Sequence, residues 1–319
     1  MPLVTLREVA HLLACPRCGC PLSRAPDTSS LFCTNDECGL ARPAAFPVLA
    51  DRWPVLIDFE RSIMAPDQVT QPRPTPGPTT RSAAAVRGKA RSLVRPVNQV
   101  AARNVSRLAR LLDGAAPLVL VVGGGSIGNG VDSLYTSERL QLLAFDIVAS
   151  EHVQLVADAH QIPLLSGCVD AVIVQAVLEH VLNPWQVVEE VHRVLKPDGL
   201  VYAETPFMQQ VHAGPNDFTR FTDSGHRWLF RRFAEIDRGV VTGPGTALSW
   251  SIDHAGRSLA RSRTVGRLLR LTLFWVRFLD RFCGTSFATD GACALFFLGR
   301  RSESELSPRA IVAEYAGGQ

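Results

Sequence analysis

Four cysteines near the start of the chain have the residue type and spacing of metal ligands. Two residues separate Cys15 from Cys18, and four separate Cys33 from Cys38. A C-x-x-C pair on one tight turn can bring two thiolates to the same ion, and a second pair completes a tetrahedral structural zinc site. Cys20 is a spare that could replace Cys18, although the two-residue gap is the commoner spacing. So short a segment buries little core by itself, and a bound metal would supply the missing stability. Redox chemistry is not expected, because no helix opens behind the first pair.

A second chemical signature lies mid-chain. Val122 is followed by Gly123, Gly124 and Gly125, then Ser126, Ile127 and Gly128. Glycines let a backbone turn sharply and approach a ligand closely, and a following helix N-terminus offers free amides. Gly123, Gly125 and Gly128 also fit G-x-G-x-x-G, so a dinucleotide site competes. Asp146 comes about twenty residues later, where a carboxylate can accept from both hydroxyls of a ribose; this suits S-adenosylmethionine or NAD equally.

These residues need elements to hold them. Short apolar runs at 118–122, 140–145, 153–156, 169–174, 200–203 and 292–298 read as strands buried on both faces. Residues 185–195 have apolar positions at helical spacing, ended by Pro197 and Gly199. This alternation predicts an α/β fold: a Rossmann-like, doubly wound, mostly parallel sheet of seven strands, with a small N-terminal zinc ribbon. The expected divisions are a ribbon over 1–64, a Pro-rich linker over 65–96, a large domain over 97–302 and a tail over 303–319.

Two resemblances sharpen this reading. The segments LLACPRCGCPL and LFCTNDECGLARPAAFPVLADRWPVLIDF are similar to the small zinc-ribbon proteins that activate methyltransferases, with Phe46-Pro47-Val48 and Pro54-Val55-Leu56 matching their trailing motifs. The gap between Cys33 and Cys38 departs from the usual two residues. The stretch VADAHQIPLLSGCVDAVIVQAVLEHVLNPWQVVEEVHRVLKPDGLVYAETPF resembles class I methyltransferases that use S-adenosylmethionine. That likeness implies that Asp158 meets the adenine amine, with Ala159 beside it, and that Gly123, Gly124, Gly125, Gly128, Asp146, Ile147 and Gln175 line the cofactor site. Dehydrogenases do not show this order of motifs, which favours the methyl donor over NAD. Val121 stands where many members carry an acid, and Ile127 where glycine is common.

Beyond the fifth strand, a stretch resembling H-x-x-P-x-D-F/Y-x-R-F/Y-T contains His212, Asp217 and Arg220. That stretch is seen in a branch of these enzymes, several of which act on sugars or glycans. Methyl transfer mainly requires alignment, and an oxygen acceptor must also lose a proton. His212 is the first candidate base and His180 the second. Asp217 and Arg220 either contact the acceptor or pair with each other to pin the loop.

Residues 261–282 place five arginines on one helical face and Val265, Leu268, Leu269, Trp275, Val276 and Leu279 largely on the other. A helix packed on the domain is favoured, with a membrane surface, contacted through Arg263–Phe282, as the functional alternative and a phosphate-rich partner such as RNA third. The net charge of +3 over 319 residues does not argue for nucleic acid. No stretch of about 18 apolar residues suggests a spanning helix, and no signal peptide is evident, so a cytoplasmic location is expected, with peripheral contact at the inner membrane face as an option. The expected activity is methylation of a saccharide, glycan or lipid-linked small molecule. The rivals are an NAD-dependent enzyme and a weakly catalytic binding module.

Overall fold

The computed structural model describes residues 2–24, 30–40, 45–69 and 97–319. Most of the expected Pro-rich linker, residues 70–96, therefore lies outside the described residues. Strands β1 (Leu22–Arg24) and β2 (Leu31–Cys33) form an antiparallel hairpin. Strands β3 (Val48–Leu49) and β4 (Trp53–Leu56) follow, then β5 (Leu118–Val122), β6 (Gln141–Asp146), β7 (Leu155–Ala157), β8 (Val169–Gln175), β9 (Leu195–Pro206), β10 (Phe233–Thr242) and β11 (Ala294–Arg301). The large sheet runs β10-β11-β9-β8-β5-β6-β7-β4-β3.

Seven of these nine strands come from residues 118–301, and the core from β9 across to β4 is parallel. Leu118 to Val122 are all buried, as a strand covered on both faces requires. Strand β10, at one edge and antiparallel to β11, has no counterpart in the expected elements. Only its first residue is buried, so its sequence lacks the apolar run that marks the central strands.

The N-terminal segment joins this sheet. Val55 and Leu56 of β4 pair in parallel with Val156 and Ala157 of β7. Leu13, Cys15, Cys33 and Leu56 share a hydrophobic cluster with Leu120, Phe145 and Leu164. Fully burying a leucine such as Leu13 or Leu56 contributes about 2 kcal/mol, so the ribbon gains stability from the sheet as well as from any metal.

Helix α1 (Gln99–Leu111), capped by Asn98, packs behind the sheet and leads into β5. A short α2 (Asp132–Thr136) follows the glycine turn. Helix α3 (Pro184–Val194) starts with proline in its first turn and is capped by Asn183. Beyond α4 (Asp223–Leu229), α5 (Pro244–Ala260) packs against α6 (Arg263–Thr272). The amphipathic stretch does not continue as one helix: after Leu273 the chain tightens into a 3₁₀ segment, Phe274–Arg281.

Candidate functional site

The order of the sheet reverses between β5 and β8, and ligands of such sheets bind beyond the carboxyl ends of the strands at that point. A cavity of about 260 Å³ opens there, bordered by Gly123, Asp146, Ile147, Asp158, Ala159 and His180. A second depression shares Val122, Gly123 and Ala176 with it and continues past Gly128, Gln175 and Glu204. The two form one cleft over the glycine turn.

Geometry explains the glycines. Gly123 has φ +73°, and a Cβ there would meet Val177 Cγ2 at 2.4 Å. A Cβ on Gly125 would lie 2.7 Å from Asp146 Oδ2, the atom that accepts from the Gly125 amide at 2.9 Å. Asp146 thus ends β6 with one oxygen on the turn; its Oδ1 accepts from the Val148 amide at 3.1 Å. Opposite, Ala176 takes φ +55° immediately after β8. A non-glycine residue in the left-handed region costs roughly 1 kcal/mol or more and tends to mark a functional turn.

Asp158 borders the same cavity and is almost fully buried. Its Oδ1 faces the His160 amide at 2.9 Å and His160 Nδ1 at 2.6 Å, and its Oδ2 accepts from Ser62 Oγ. Burial alone would raise this carboxyl, but the His160 and Ser62 bonds outweigh it and hold it below the usual range. Ser62, with Ile63 and Met64, belongs to the loop that follows β4, so the N-terminal segment supplies one wall of the cavity. That loop is braced from the cysteine knuckle. Arg17 donates to both oxygens of the buried Asp58 at 2.8 and 2.6 Å and to Glu60 at 2.6 Å.

Gln175 lies on the far side of the glycine turn. Its Nε2 donates to Glu204 Oε2 at 2.8 Å and to the Asn129 carbonyl at 3.1 Å. In-register pairing of β8 with β9 places Gln175 opposite Glu204. Glu204 also accepts from Asn98 Nδ2 and Tyr202 Oη. Val121, which stands where many members of the resembled family carry an acid, is buried in an apolar cluster with Ala144 and Val156.

His180 borders the same cavity as Asp158; Glu179 precedes it in the turn after β8, and His212 arrives on the loop after β9. Glu179 is 1% exposed, and burial pushes its carboxyl up to about 7. His180 and His212 stack edge-to-face with centroids 5.0 Å apart. Burial holds His212 below its ordinary range, against the pull of Asp217. Asp217 and Arg220 form a two-pronged ion pair, and Arg220 also donates to the Gln209, Gln210 and Thr219 carbonyls. The pair pins the loop that carries His212, whose amide donates to Asp217 Oδ2 at 2.8 Å.

The cysteine cluster is compact. The Sγ atoms of Cys15, Cys18, Cys33 and Cys38 all lie within 4.8 Å of one another, with 3.8 Å from Cys15 to Cys38 and 3.5 Å from Cys18 to Cys33. Four sulfurs at about 2.3 Å from a tetrahedral zinc would stand about 3.8 Å apart, so the cluster fits such an ion despite the long second gap. Cys20 lies outside the set.

Sequence reasoning singled out neither Ser62, Met64, Asn98 nor Glu204, and it passed over Glu179 within its quoted motif. The buried acids carried a usable signal: Glu204 interrupts an apolar strand, and Glu179 precedes a histidine at a strand end.

Residues 128–203 match the family model described as a methyltransferase domain. No curated protein matches the chain. Among solved structures, the chain is similar to a sarcosine dimethylglycine methyltransferase from Galdieria sulphuraria at 14% identity, covering 70% of this chain and 88% of that one with a TM-score of 0.43. It is similar at 16% identity to a chain from the Haloferax volcanii complex of the Trm112 methyltransferase activator with a methyltransferase, covering 69% and 97%, TM-score 0.41. The [4+2]-cyclase SpnF matches at 17%, covering 65% and 82%, TM-score 0.42. The stretch that matches the methyltransferase-domain model includes β6 to β8 and most of β9, so it spans the switch point and the strand ends that border the cleft.

Proposed function

We propose that the protein transfers a methyl group from S-adenosylmethionine to an oxygen of a small or lipid-linked acceptor. The observation that carries this reading is the convergence of the glycine turn, Asp146 and Asp158 on one cavity at the switch point. Asp146 takes the ribose hydroxyls, Ile147 and Ala159 flank the base, and Asp158 faces the adenine amine with Oδ2, the oxygen that also accepts from Ser62. Glu204, held by Gln175 and Asn98, receives the methionine ammonium in place of the acid that Val121 lacks.

The sulfonium methyl then points toward Glu179, His180 and His212, where the acceptor sits. In a site without metal, His212 takes the acceptor's proton, with His180 second. Asp217 and Arg220 position this loop through their mutual ion pair. The four cysteines hold a structural zinc.

A lipid-linked acceptor gains support from the surface beside this end of the cleft. No described helix is long and apolar enough to cross a membrane. Yet Leu268, Trp275, Phe282 and Phe287 remain exposed, Phe282 at 85%, among Arg263, Arg267, Arg277 and Arg281. Arg270 stacks over Trp250, which neighbours His212, so the patch adjoins the acceptor end. Such a surface suits anionic lipid headgroups. Vesicles containing anionic lipid should sediment the protein, neutral vesicles should not, and a Phe282→Ser, Trp275→Ser variant should stay in solution. For the cofactor, S-adenosylhomocysteine should raise the melting temperature and NAD should leave it unchanged; the reverse pattern would make the glycine turn a dinucleotide site.

A further inference from the structure

Glu179, His180 and His212 are arranged in a way that proton transfer alone does not explain. Glu179 is almost completely buried, and its Oε2 has no hydrogen-bond partner among the described residues. The Nε2 atoms of His180 and His212 stand 3.7 and 3.8 Å from its Oε1, outside hydrogen-bond reach. One ligand atom from each of the three residues lies within 4.8 Å of the others.

The outer nitrogens are fixed from behind. His180 Nδ1 is 2.6 Å from the Asn216 carbonyl. A carbonyl only accepts, so Nδ1 carries the hydrogen, and the Nε2 of the neutral ring keeps its lone pair. His212 Nδ1 stands 3.4 Å from both Asp217 Oδ2, whose carboxylate Arg220 clamps, and Gln209 Nε2; with its hydrogen turned to the carboxylate, Nδ1 leaves the Nε2 lone pair free as in His180. Imidazoles whose outer nitrogen is held by a carbonyl or carboxylate, with the inner nitrogen turned to a shared point, have the outer-shell pattern of metal ligands.

We propose that Glu179, His180 and His212 bind one divalent transition-metal ion at the acceptor end of the cleft, separate from the zinc assigned to the cysteines. Two imidazoles and a carboxylate suit Fe²⁺, Co²⁺ or Zn²⁺ better than Mg²⁺. Ligand atoms about 2.1 Å from a common ion lie roughly 3.0–3.4 Å apart; the two carboxylate-to-imidazole distances, 3.7 and 3.8 Å, are slightly longer than that, and the two ring nitrogens lie within 4.8 Å of each other. The ion offsets the cost of an unpartnered buried carboxylate. Three protein ligands leave coordination positions open, and these suit the oxygens of a hydroxyl-bearing acceptor. The identity of that occupant rests on the methyl-transfer reading; the metal site itself does not. With the ion bound, both imidazoles would be occupied as ligands, and a coordinated acceptor hydroxyl, acidified by the ion, would release its proton to solvent water.

The test is to titrate the zinc-loaded, full-length protein with Co²⁺. One equivalent should bind per chain, giving the weak visible bands of a nitrogen and oxygen site without sulfur charge transfer. The His180→Gln, His212→Gln double variant and Glu179→Gln should each weaken binding at least tenfold. In the wild-type protein, proton spectra of the Co²⁺ form should show two strongly shifted, exchangeable imidazole N–H signals, which needs no variant. Absence of Co²⁺ binding, binding that the variants leave unchanged, or binding without those signals overturns the site. Melting shifts with S-adenosylhomocysteine on the same samples separate the two claims. A shift without Co²⁺ binding overturns the metal site alone. Co²⁺ binding without a shift overturns the cofactor assignment and upholds the metal.

Discussion

The two ends of the cleft are built in different ways. At the adenosine end, the key groups sit at or just beyond the ends of adjacent parallel strands, where backbone ladders fix their places: Gly123 after β5, Asp146 on β6, Asp158 after β7. At the acceptor end, Glu179, His180 and His212 come from two loops held together by side chains, chiefly the Asp217–Arg220 pair and the His180 bond to the Asn216 carbonyl. The first end is a consequence of topology and can be shared by many proteins. The second depends on side-chain contacts between loops, the kind of region in which binding specificity commonly varies between proteins of one fold.

If the adenosine end is a braced, strand-built site, damage to its braces should be costly. Arg17→Ala leaves the buried Asp58 carboxylate without its main partner. The expected loss is about 2–3 kcal/mol, because a buried charge loses its hydrogen bonds, which corresponds to a fall of roughly 5 °C in melting temperature at this chain length. Restoration by Arg17→Lys should be incomplete, since lysine cannot make the two-pronged contact. Scanning calorimetry measures both.

Asp146→Ala removes the carboxylate that both fixes the Gly125 amide and is assigned to the ribose. Two charge-assisted hydrogen bonds at roughly 1.5 kcal/mol each predict about a hundredfold weaker S-adenosylhomocysteine binding. Gly123→Ala forces a side chain into a left-handed conformation and against Val177. A strain of roughly 1–2 kcal/mol predicts about a tenfold loss, read by the same titration. The smallest effect sharpens the contrast most: His212→Gln, at the other end, should change S-adenosylhomocysteine affinity by less than about twofold, since the ribose and adenine contacts lie elsewhere. A large loss there would mean that the two ends are one coupled unit.

The same difference governs how far the sequence could be read. The runs 118–122 and 169–174 become strands within a residue of their expected bounds, because a strand buried on both faces must be continuously apolar. Asp146 and the glycines were legible because topology places them at strand ends. The wall formed by Ile63 and Met64 was not, since it depends on β4 pairing with β7 across about a hundred residues of chain. The pairing of Asp217 with Arg220 was legible as an alternative because the two lie three residues apart. The meeting of Glu179 with His212 was not, because nothing local specifies it. The basic segment packs against α5, as expected of an amphipathic helix on a domain, yet several Leu and Phe side chains stay exposed, because periodicity does not show how much of a face finds a partner.

The central claim is that the carboxylate ending β6 and the glycine turn grip an adenosyl sulfonium. Calorimetric titration of the full-length protein with S-adenosylhomocysteine tests it most directly. The expected result is one equivalent bound per chain, undiminished by excess NAD and weakened about a hundredfold in Asp146→Ala. No binding to the wild-type protein, displacement by NAD, or equal affinity in Asp146→Ala would contradict it.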